Sequence, residues 1–355
     1  MLAYPLSVSR ATKPLSCMPV TLLLALPVQA GFAWPMDTRA PDRAPVMLNA
    51  DGKPVASRLA AIFLILFAFF CFAGLDASAK YAGAVLAPLQ IVWMRFVTHA
   101  LVATAVLRPW RSPASYRPRN APLQVARAFF LLGATFCNFY ALRYLPLALT
   151  AAIFFLSPFI VTALAGPFLG EWAGRRRWLA IVIGFIGALI IIRPGLAGFH
   201  PAMLLSLAAT FSYSLYGLLT RRLAVIETTE SLMLLPAIAA ALVMIPAGLA
   251  QWVAVPDLLH WSLLLATGIF GALGHWVFIK AHEAAPAPVL APFVYSQLIW
   301  MTALGYTIFR DIPDRATMIG AAVIVGSGLY LFYRERQTAR AERRSAAPAV
   351  GPDGV

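Results

Sequence analysis

The chain has 355 residues, of which 61% are hydrophobic and only 12% charged, with a mean hydropathy of +0.78 and a formal net charge of +14. A soluble domain carries about twice that charged fraction, so composition excludes an ordinary soluble enzyme and points to an integral membrane protein. The basic residues gather in short stretches between apolar runs, not on the face of a polar domain; this excludes nucleic acid as a partner and reads as a membrane-orientation signal.

Residues 1–57 are expected to be a flexible N-terminal extension. Within it PVTLLLALPVQA (19–30) looks like a signal peptide, but the run is too short to span, and cleavage there would oppose the charge pattern. Met47, opening MLNADGKPVASRLAAIF, is an alternative start. Ten apolar runs then follow at roughly 59–79, 88–107, 123–142, 147–169, 178–193, 202–220, 232–251, 261–280, 287–308 and 317–333, near the twenty residues a membrane helix needs. They are apolar on all sides, which excludes the alternation of an outer-membrane strand.

With the segment before the first run inside, one side receives Lys53, Arg58, Arg108, Arg111, Arg117, Arg119, Arg175, Arg176, Arg177, Arg221, Arg222, Lys280 and Arg334, Arg336, Arg340, Arg343, Arg344; the other receives Lys80, Arg143, Arg193, Arg310 and Arg315. That bias puts both termini in the cytoplasm of an inner-membrane protein. Cys17, Cys71 and Cys137 have no metal-binding spacing, so neither disulfide, metal nor cofactor is expected.

Residues 162–171 read TALAGPFLGE and residues 302–311 read TALGYTIFRD. Sliding the chain by 140 positions also aligns Leu123 with Leu263, Ala126 with Ala266, Ala141 with Ala281, Pro146 with Pro286, Ala151 with Ala291, Glu171 with Asp311 and Arg175 with Arg315. The chain therefore reads as a repeat, with halves at 58–195 and 196–336 and a cytoplasmic tail at 337–355. Five runs per half is odd, so the second half enters the membrane inverted. The expected fold is all-α and integral to the membrane, with ten transmembrane helices in two inverted five-helix repeats, the architecture of secondary transporters.

The chain also resembles the EamA-type transporters of the drug/metabolite transporter superfamily over about 58–336. The resemblance is carried by RF (95–96), LGE (169–171), WLAIVIGFIGALIIIRPG (178–195), LAATFSYSLYGLLTRRL (207–223), GHWVFIKA (274–281) and GYTIFRDIPDRATMIGAAVIVGSGL (305–329). Within it, GLDASAKY (74–81) is most similar to the branch containing S-adenosylmethionine carriers. Arg310-Asp311 departs from the Gly-Glu usual in the family. The resemblance implies ten helices and a small-molecule substrate.

Ionisable groups inside a bilayer are costly and ask for a reason. Arg95 lies about 10 Å into the second run at 1.5 Å per residue, too deep for snorkelling alone, with His99 one turn further on the same face. Arg95 either lines the pathway or is satisfied by carbonyls or a neighbouring acid. Asp76 and Lys80 stand i, i+4 and either pair with each other or leave Asp76 to pair with Arg95 as an outer gate. Arg127 either reaches back to headgroups or joins the stripe Leu131, Ala134, Asn138 facing the bundle. Ser206, Thr210, Tyr213 and Gly217 share one face, for packing or for a cavity wall. His275 and Lys280 occupy the eighth run. Tyr295, Gln297 and Trp300 follow Pro288 and Pro292, which free backbone carbonyls, and are candidate substrate contacts. Ala180, Gly184 and Ala188, and Gly320 and Gly328 around Ile324, read as scaffold or homodimer contacts. Arg175–Arg177 read as a headgroup binder.

The expected activity is secondary transport of a small polar metabolite, amino-acid-like or S-adenosylmethionine-like, by alternating access. The partners are that substrate and the lipid bilayer. An exporter of hydrophobic drugs or lipids is the alternative, with a membrane enzyme or sensor further behind because no catalytic array or signalling domain is visible.

Overall fold

The computed structural model describes residues 58–169, 174–193, 198–224, 226–284 and 290–346. The expected extension 1–57, Glu171, Pro286 and Pro288 lie outside the described residues. Among those described, all regular structure is helical. The elements are α1 (Arg58–Ala82), α2 (Pro88–Leu107), α3 (Ala121–Leu142), α4 (Leu147–Phe154), α5 (Ser157–Leu169), α6 (Arg175–Ile192), α7 (Ala202–Leu223), α8 (Thr229–Val243), α9 (Ile245–Ala250), α10 (Leu258–Ala284), α11 (Ser296–Leu304) and α12 (Arg315–Ala346).

Six segments are long and apolar enough to cross a membrane, namely Leu59–Ala82, Pro88–Leu107, Ala121–Leu142, Leu147–Phe168, Ala202–Leu223 and Leu258–Ala281. Four shorter apolar helices lie at Trp178–Ile192, Thr229–Val243, Phe293–Phe309 and Arg315–Tyr330. Proline explains two of the interruptions. The expected run 147–169 breaks at Phe155–Leu156, just before Pro158, and the run 232–251 breaks at Met244, just before Pro246; proline has no N–H for the carbonyl four residues back and its ring crowds that carbonyl. The expected run 287–308 holds a 3₁₀ turn at Ala291–Tyr295, then α11, then a π-turn at Gly305–Phe309. At the far end, α12 continues past the expected stop at 333 to Ala346, because RERQTARAERRSA contains strong helix formers and no breaker.

Caps fix several helix starts. Asn120 accepts from the Leu123 amide and Thr228 from the Ser231 amide, each at 3.2 Å, and Asp314 accepts from the Thr317 amide at 2.8 Å. Large apolar side chains such as Phe63, Phe67, Val182, Phe185 and Ile186 remain exposed around the bundle. On a soluble protein that surface would be a liability; against lipid tails it is the natural outside.

The packing partners form a regular pattern. α1 lies along α10 and α3 along α7; α2 contacts α10 and α8, and α3 contacts α8; α1 touches α11 and α7 touches α4 and α5; α4 meets α11 and α6 meets α12. Exchanging the elements of the first half for their counterparts in the second maps this set of contacts onto itself.

Small residues set the closest approaches. Between α6 and α12, a Cβ on Gly187 would fall 3.0 Å from the Gly320 carbonyl, and one on Gly320 would fall 2.6 Å from the Gly187 carbonyl. Gly184 abuts the Phe159 ring, Gly328 abuts Tyr295, and Ala188 is buried. These small residues are thus covered by the chain's own helices. Another close crossing joins α2 to α10: a Cβ on Gly268 would collide with Thr98 and stand 2.8 Å from both the Arg95 carbonyl and the His99 amide. Gly217 faces open space. Gly268→Ala is therefore expected to cost about 1–3 kcal/mol through overpacking, and Gly217→Ala to be near neutral. Thermal unfolding of the two variants in detergent measures the difference.

Candidate functional site

A cavity of about 120 Å³ lies among the helices. Its wall is assembled from α1, α2, α3, α4, α7, α10 and α11, so no single helix builds it. The polar lining is Asp76, Arg95, Thr135, Asn138, Thr150, Ser206, Thr210, Tyr213, His275 and Gln297, and the aromatic lining is Phe69, Phe72, Phe139, Phe154 and Tyr213. Asp76, Arg95, Asn138, Tyr213, His275 and Gln297 of the expected residues are brought together here. The stripe Leu131, Ala134, Asn138 on α3 and the stripe Ser206, Thr210, Tyr213 on α7 face it, while Gly217 does not. Sequence reasoning missed Thr135, one position off the α3 stripe, and Thr150, which is buried in a short helix with no period to read.

The other candidates sit elsewhere. Tyr295 packs edge-on against Phe155 with ring centroids 5.1 Å apart. Trp300 packs against Phe70 at 5.3 Å. Lys280 lies on α10 five residues past His275, outside the lining. His99 stands behind the wall, its ring centroid 5.9 Å from that of His275.

The charge pairing differs from the sequence expectation. Asp76 accepts a hydrogen bond from Asn138 Nδ2 at 2.9 Å, and no ion pair joins it to Lys80 or Arg95 among the described residues. Lys80, at the end of α1, instead reaches Asp311 at 3.4 Å and donates to the Leu145 carbonyl at 2.7 Å. The reason is direction: Asp76 faces the interior, where an amide donor meets it, whereas Lys80 lies one turn closer to the helix end, where an acid from the second half is within reach.

Two buried arginines are treated in opposite ways. Arg127 is 3% exposed, so it does not reach back to headgroups. It donates to Thr220 Oγ1 at 2.6 Å, the Leu232 carbonyl at 2.8 Å, Tyr216 Oη at 3.0 Å and Gln124 Oε1 at 3.4 Å, and stacks over the Tyr216 ring. Gln124 continues the network to Ser231, and Ser231 to Glu227, whose carboxylate also accepts from the Arg119 and Asn120 amides. Arg95 is 4% exposed, yet its Nε and Nη1 have no hydrogen-bond partner; its guanidinium lies 4.3 Å from the Phe96 ring. Buried polar groups are ordinarily satisfied, so Arg127 reads as a structural knot and Arg95 as a group waiting for a partner.

The model of the EamA-like transporter family matches residues 59–193 and again residues 200–333. The chain belongs to the EamA-like transporter family. Among curated relatives, an S-adenosylmethionine uptake transporter of Rickettsia bellii is 27% identical over 74% of this chain and 89% of its own length. A riboflavin transporter of Brucella anthropi is 32% identical over 68% and 87%, and a pseudopaline exporter of Pseudomonas aeruginosa is 26% identical over 74% and 93%. A crystal structure of a protein 22% identical superposes with a TM-score of 0.56, covering 79% of this chain and 99% of the other, a likeness of fold alone. Family and helices together make this a multi-pass membrane protein of the small-metabolite transporter kind rather than an enzyme.

Replacing Arg127 by Ala would leave Thr220, Tyr216, Gln124 and the Leu232 carbonyl without their shared donor. With hydrogen bonds to a buried charge worth about 1.5–3 kcal/mol each, the variant is expected to lose at least about 3 kcal/mol, seen as a lowered unfolding temperature in detergent.

Proposed function

We propose that this EamA-family member is a secondary transporter whose substrate is a small polar metabolite carrying a carboxylate or phosphate, bound at Arg95. The observation that carries this reading is the buried guanidinium in the cavity wall with Nε and Nη1 unpartnered. In a low-dielectric interior an anion would complete those bonds at charge-assisted strength. Across the cavity, Asp76 with Asn138, the hydroxyls of Thr150 and Thr210, and the amide of Gln297 supply polar contacts, and Phe72, Phe139 and Phe154 supply flat apolar walls. That mixture suits an amino-acid-like or nucleoside-like molecule better than a hydrophobic drug or lipid. S-adenosylmethionine and riboflavin, named for two of the relatives, both join a fused ring to a polar chain.

The cycle in this reading is alternating access of two inverted halves, 58–195 and 196–336, each with five spans, in the inner membrane with both termini cytoplasmic. The internal exchange symmetry of the packing and the two family matches support it. The end of the bundle at Lys80, Leu145 and Asp311 is then the outer closure, and the end around Arg127, Gln124, Ser231 and Glu227 the inner one.

Counterflow in proteoliposomes tests the substrate reading: vesicles preloaded with amino acids, S-adenosylmethionine, riboflavin, nucleosides or sugar phosphates, one at a time, are given the same compound labelled. Accumulation of an anionic or zwitterionic compound is expected, and Arg95→Gln is expected to weaken it by at least about tenfold, since one charge-assisted contact of about 1.5–3 kcal/mol is lost. Unchanged transport in Arg95→Gln would sink the reading. For the closure, a Thr150→Cys reporter in a background with Cys17, Cys71 and Cys137 replaced by Ser should react faster with an impermeant maleimide when Asp311→Asn is added. An unaltered rate would remove Asp311 from the gate.

A further inference from the structure

Arg95 has an unsatisfied neighbour. One turn along α2, His99 is 3% exposed, and neither of its ring nitrogens has a hydrogen-bond partner. Its ring faces His275 of α10 at 5.9 Å between centroids, and His275 itself lines the cavity. Both groups approach α10 at Gly271, where a Cβ would make ordinary contact at 3.6 Å from His99 Nδ1 and 3.8 Å from Arg95 Nη2. The guanidinium and the imidazole therefore meet over one bare spot on α10.

The groups around His99 come from every helix packed on α2. Its own helix supplies Arg95 and α10 supplies His275. From α1 comes Asp76, already engaged by Asn138 of α3. Tyr216 of α7 and Arg127 of α3 bear on Arg95 and His275 in turn. The sequence of α8 carries only Glu230, exposed in its first turn, and that of α9 carries no titratable group. Beside Arg95, then, stand two imidazoles with no acid bonded to either among the described residues.

We infer that His99 and His275 form a proton-loading pair: a proton binds there when an anionic group binds Arg95, and the two cross the membrane together. This rests on the proposed anion site at Arg95. In the empty cavity a second positive charge next to the guanidinium is repelled. An anionic group on Arg95 reverses the sign of the local field and makes the imidazolium favourable. Binding of anion and proton is thereby coupled, and the coupling is reciprocal, so lower pH tightens the anion and the anion tightens the proton. The proton comes from water on the loading side, through His275 at the cavity wall, and returns to water on the release side. A singly charged anion and its proton crossing together transfer no net charge, so the membrane potential does not oppose the step.

The test uses the purified full-length chain in proteoliposomes loaded with the pH dye pyranine, voltage-clamped with potassium and valinomycin, and given inward gradients of L-glutamate, pantothenate or S-adenosylmethionine. Lumen acidification of about one proton per molecule taken up is expected, with initial uptake at least about threefold faster at pH 6 than at pH 8, the range over which imidazole titrates. The double variant His99→Gln, His275→Gln should lose the proton flux, with its ratio of protons to substrate falling to near zero. Should that variant not fold or not transport, calorimetry on the wild-type chain in two buffers of different ionisation enthalpy reads the same quantity: proton uptake on binding of a transported probe supports the pair, and none overturns it. Wild-type uptake without acidification, or an unchanged ratio in the double variant, also overturns it. Counterflow of a probe without proton movement would remove the proton pair and leave the transporter reading standing. No counterflow of any of the three would remove both.

Discussion

A stripe of three glycines on α10, Gly268, Gly271 and Gly274, governs how the core of this bundle is built. Each meets a different neighbour. Gly268 lies against the backbone of α2 at Arg95 and His99, Gly271 lies beneath the Arg95 and His99 side chains and Leu75, and Gly274 lies against Phe72 and Cys71 of α1. A helix turns about 100° per residue, so positions three apart drift by about 60° per step. The groove therefore rotates along α10 and passes from α2 to α1. Small residues are how membrane helices approach closely when lipid offers no hydrophobic drive. Here the close approach also presents Arg95 to the cavity, with His99 behind it, while the partner helix supplies His275.

The contrast between Arg95 and Arg127 follows from what surrounds each. Arg127 sits where α3, α7 and α8 converge, and three helices within reach of one guanidinium supply a hydroxyl, a phenol, a carbonyl and an amide. Such a charge is neutralised by dipoles and needs no ion pair. Arg95 faces the cavity, with Gly271 and the Phe96 ring beside its guanidinium. Neither neighbour offers a side-chain carbonyl or hydroxyl acceptor, so Nε and Nη1 are left without a hydrogen bond. In the proposed transporter the desolvation of this guanidinium would be relieved by the anionic substrate, a form of pre-organisation.

Much of this was readable before any coordinates. The apolar run lengths follow from bilayer thickness, the 140-residue offset from internal similarity, and the i, i+3, i+4 stripes on α3 and α7 from helical periodicity. The inward faces of Asn138 and Tyr213 follow from the same rule. What escaped has identifiable causes. Lys80 pairs with Asp311, 231 positions away, and a contact that distant leaves no trace in local spacing, whereas the i, i+4 neighbour Asp76 invited the wrong pairing. Tyr295 and Trp300 share a polar-aromatic stretch with Gln297, but a 3₁₀ turn precedes α11 and shifts the faces that a regular helix would present. The α10 stripe GIFGALG has a three-residue spacing, while the eye trained on small-xxx-small motifs settles on α6 and α12. Those helices do pack through glycines, with Gly187, outside the four-residue series, meeting Gly320, and Gly184 meeting Phe159.

The two ends of the bundle are held by contacts of unequal strength, and that bears on how such a machine would move. Lys80 and Asp311 are 15% and 30% exposed, and a partly wet ion pair contributes about 0–1 kcal/mol. Its lysine is also bound by one carbonyl, and beside it Arg310 adopts a left-handed backbone at φ 59° after a π-turn, a conformation that a non-glycine side chain tolerates poorly. The opposite end is closed by a buried network running from Arg127 through Gln124 and Ser231 to Glu227, which also holds the start of α3. Breaking that network exposes a charge and several dipoles at once, so it opens only when another set of contacts replaces it. Under alternating access the Lys80–Asp311 end is therefore the one that thermal motion opens first. In the proposed cycle the Arg127 end would draw on the energy of a filled cavity through Tyr216, which bonds Arg127 and packs on the cavity-lining Tyr213 with ring centroids 5.7 Å apart.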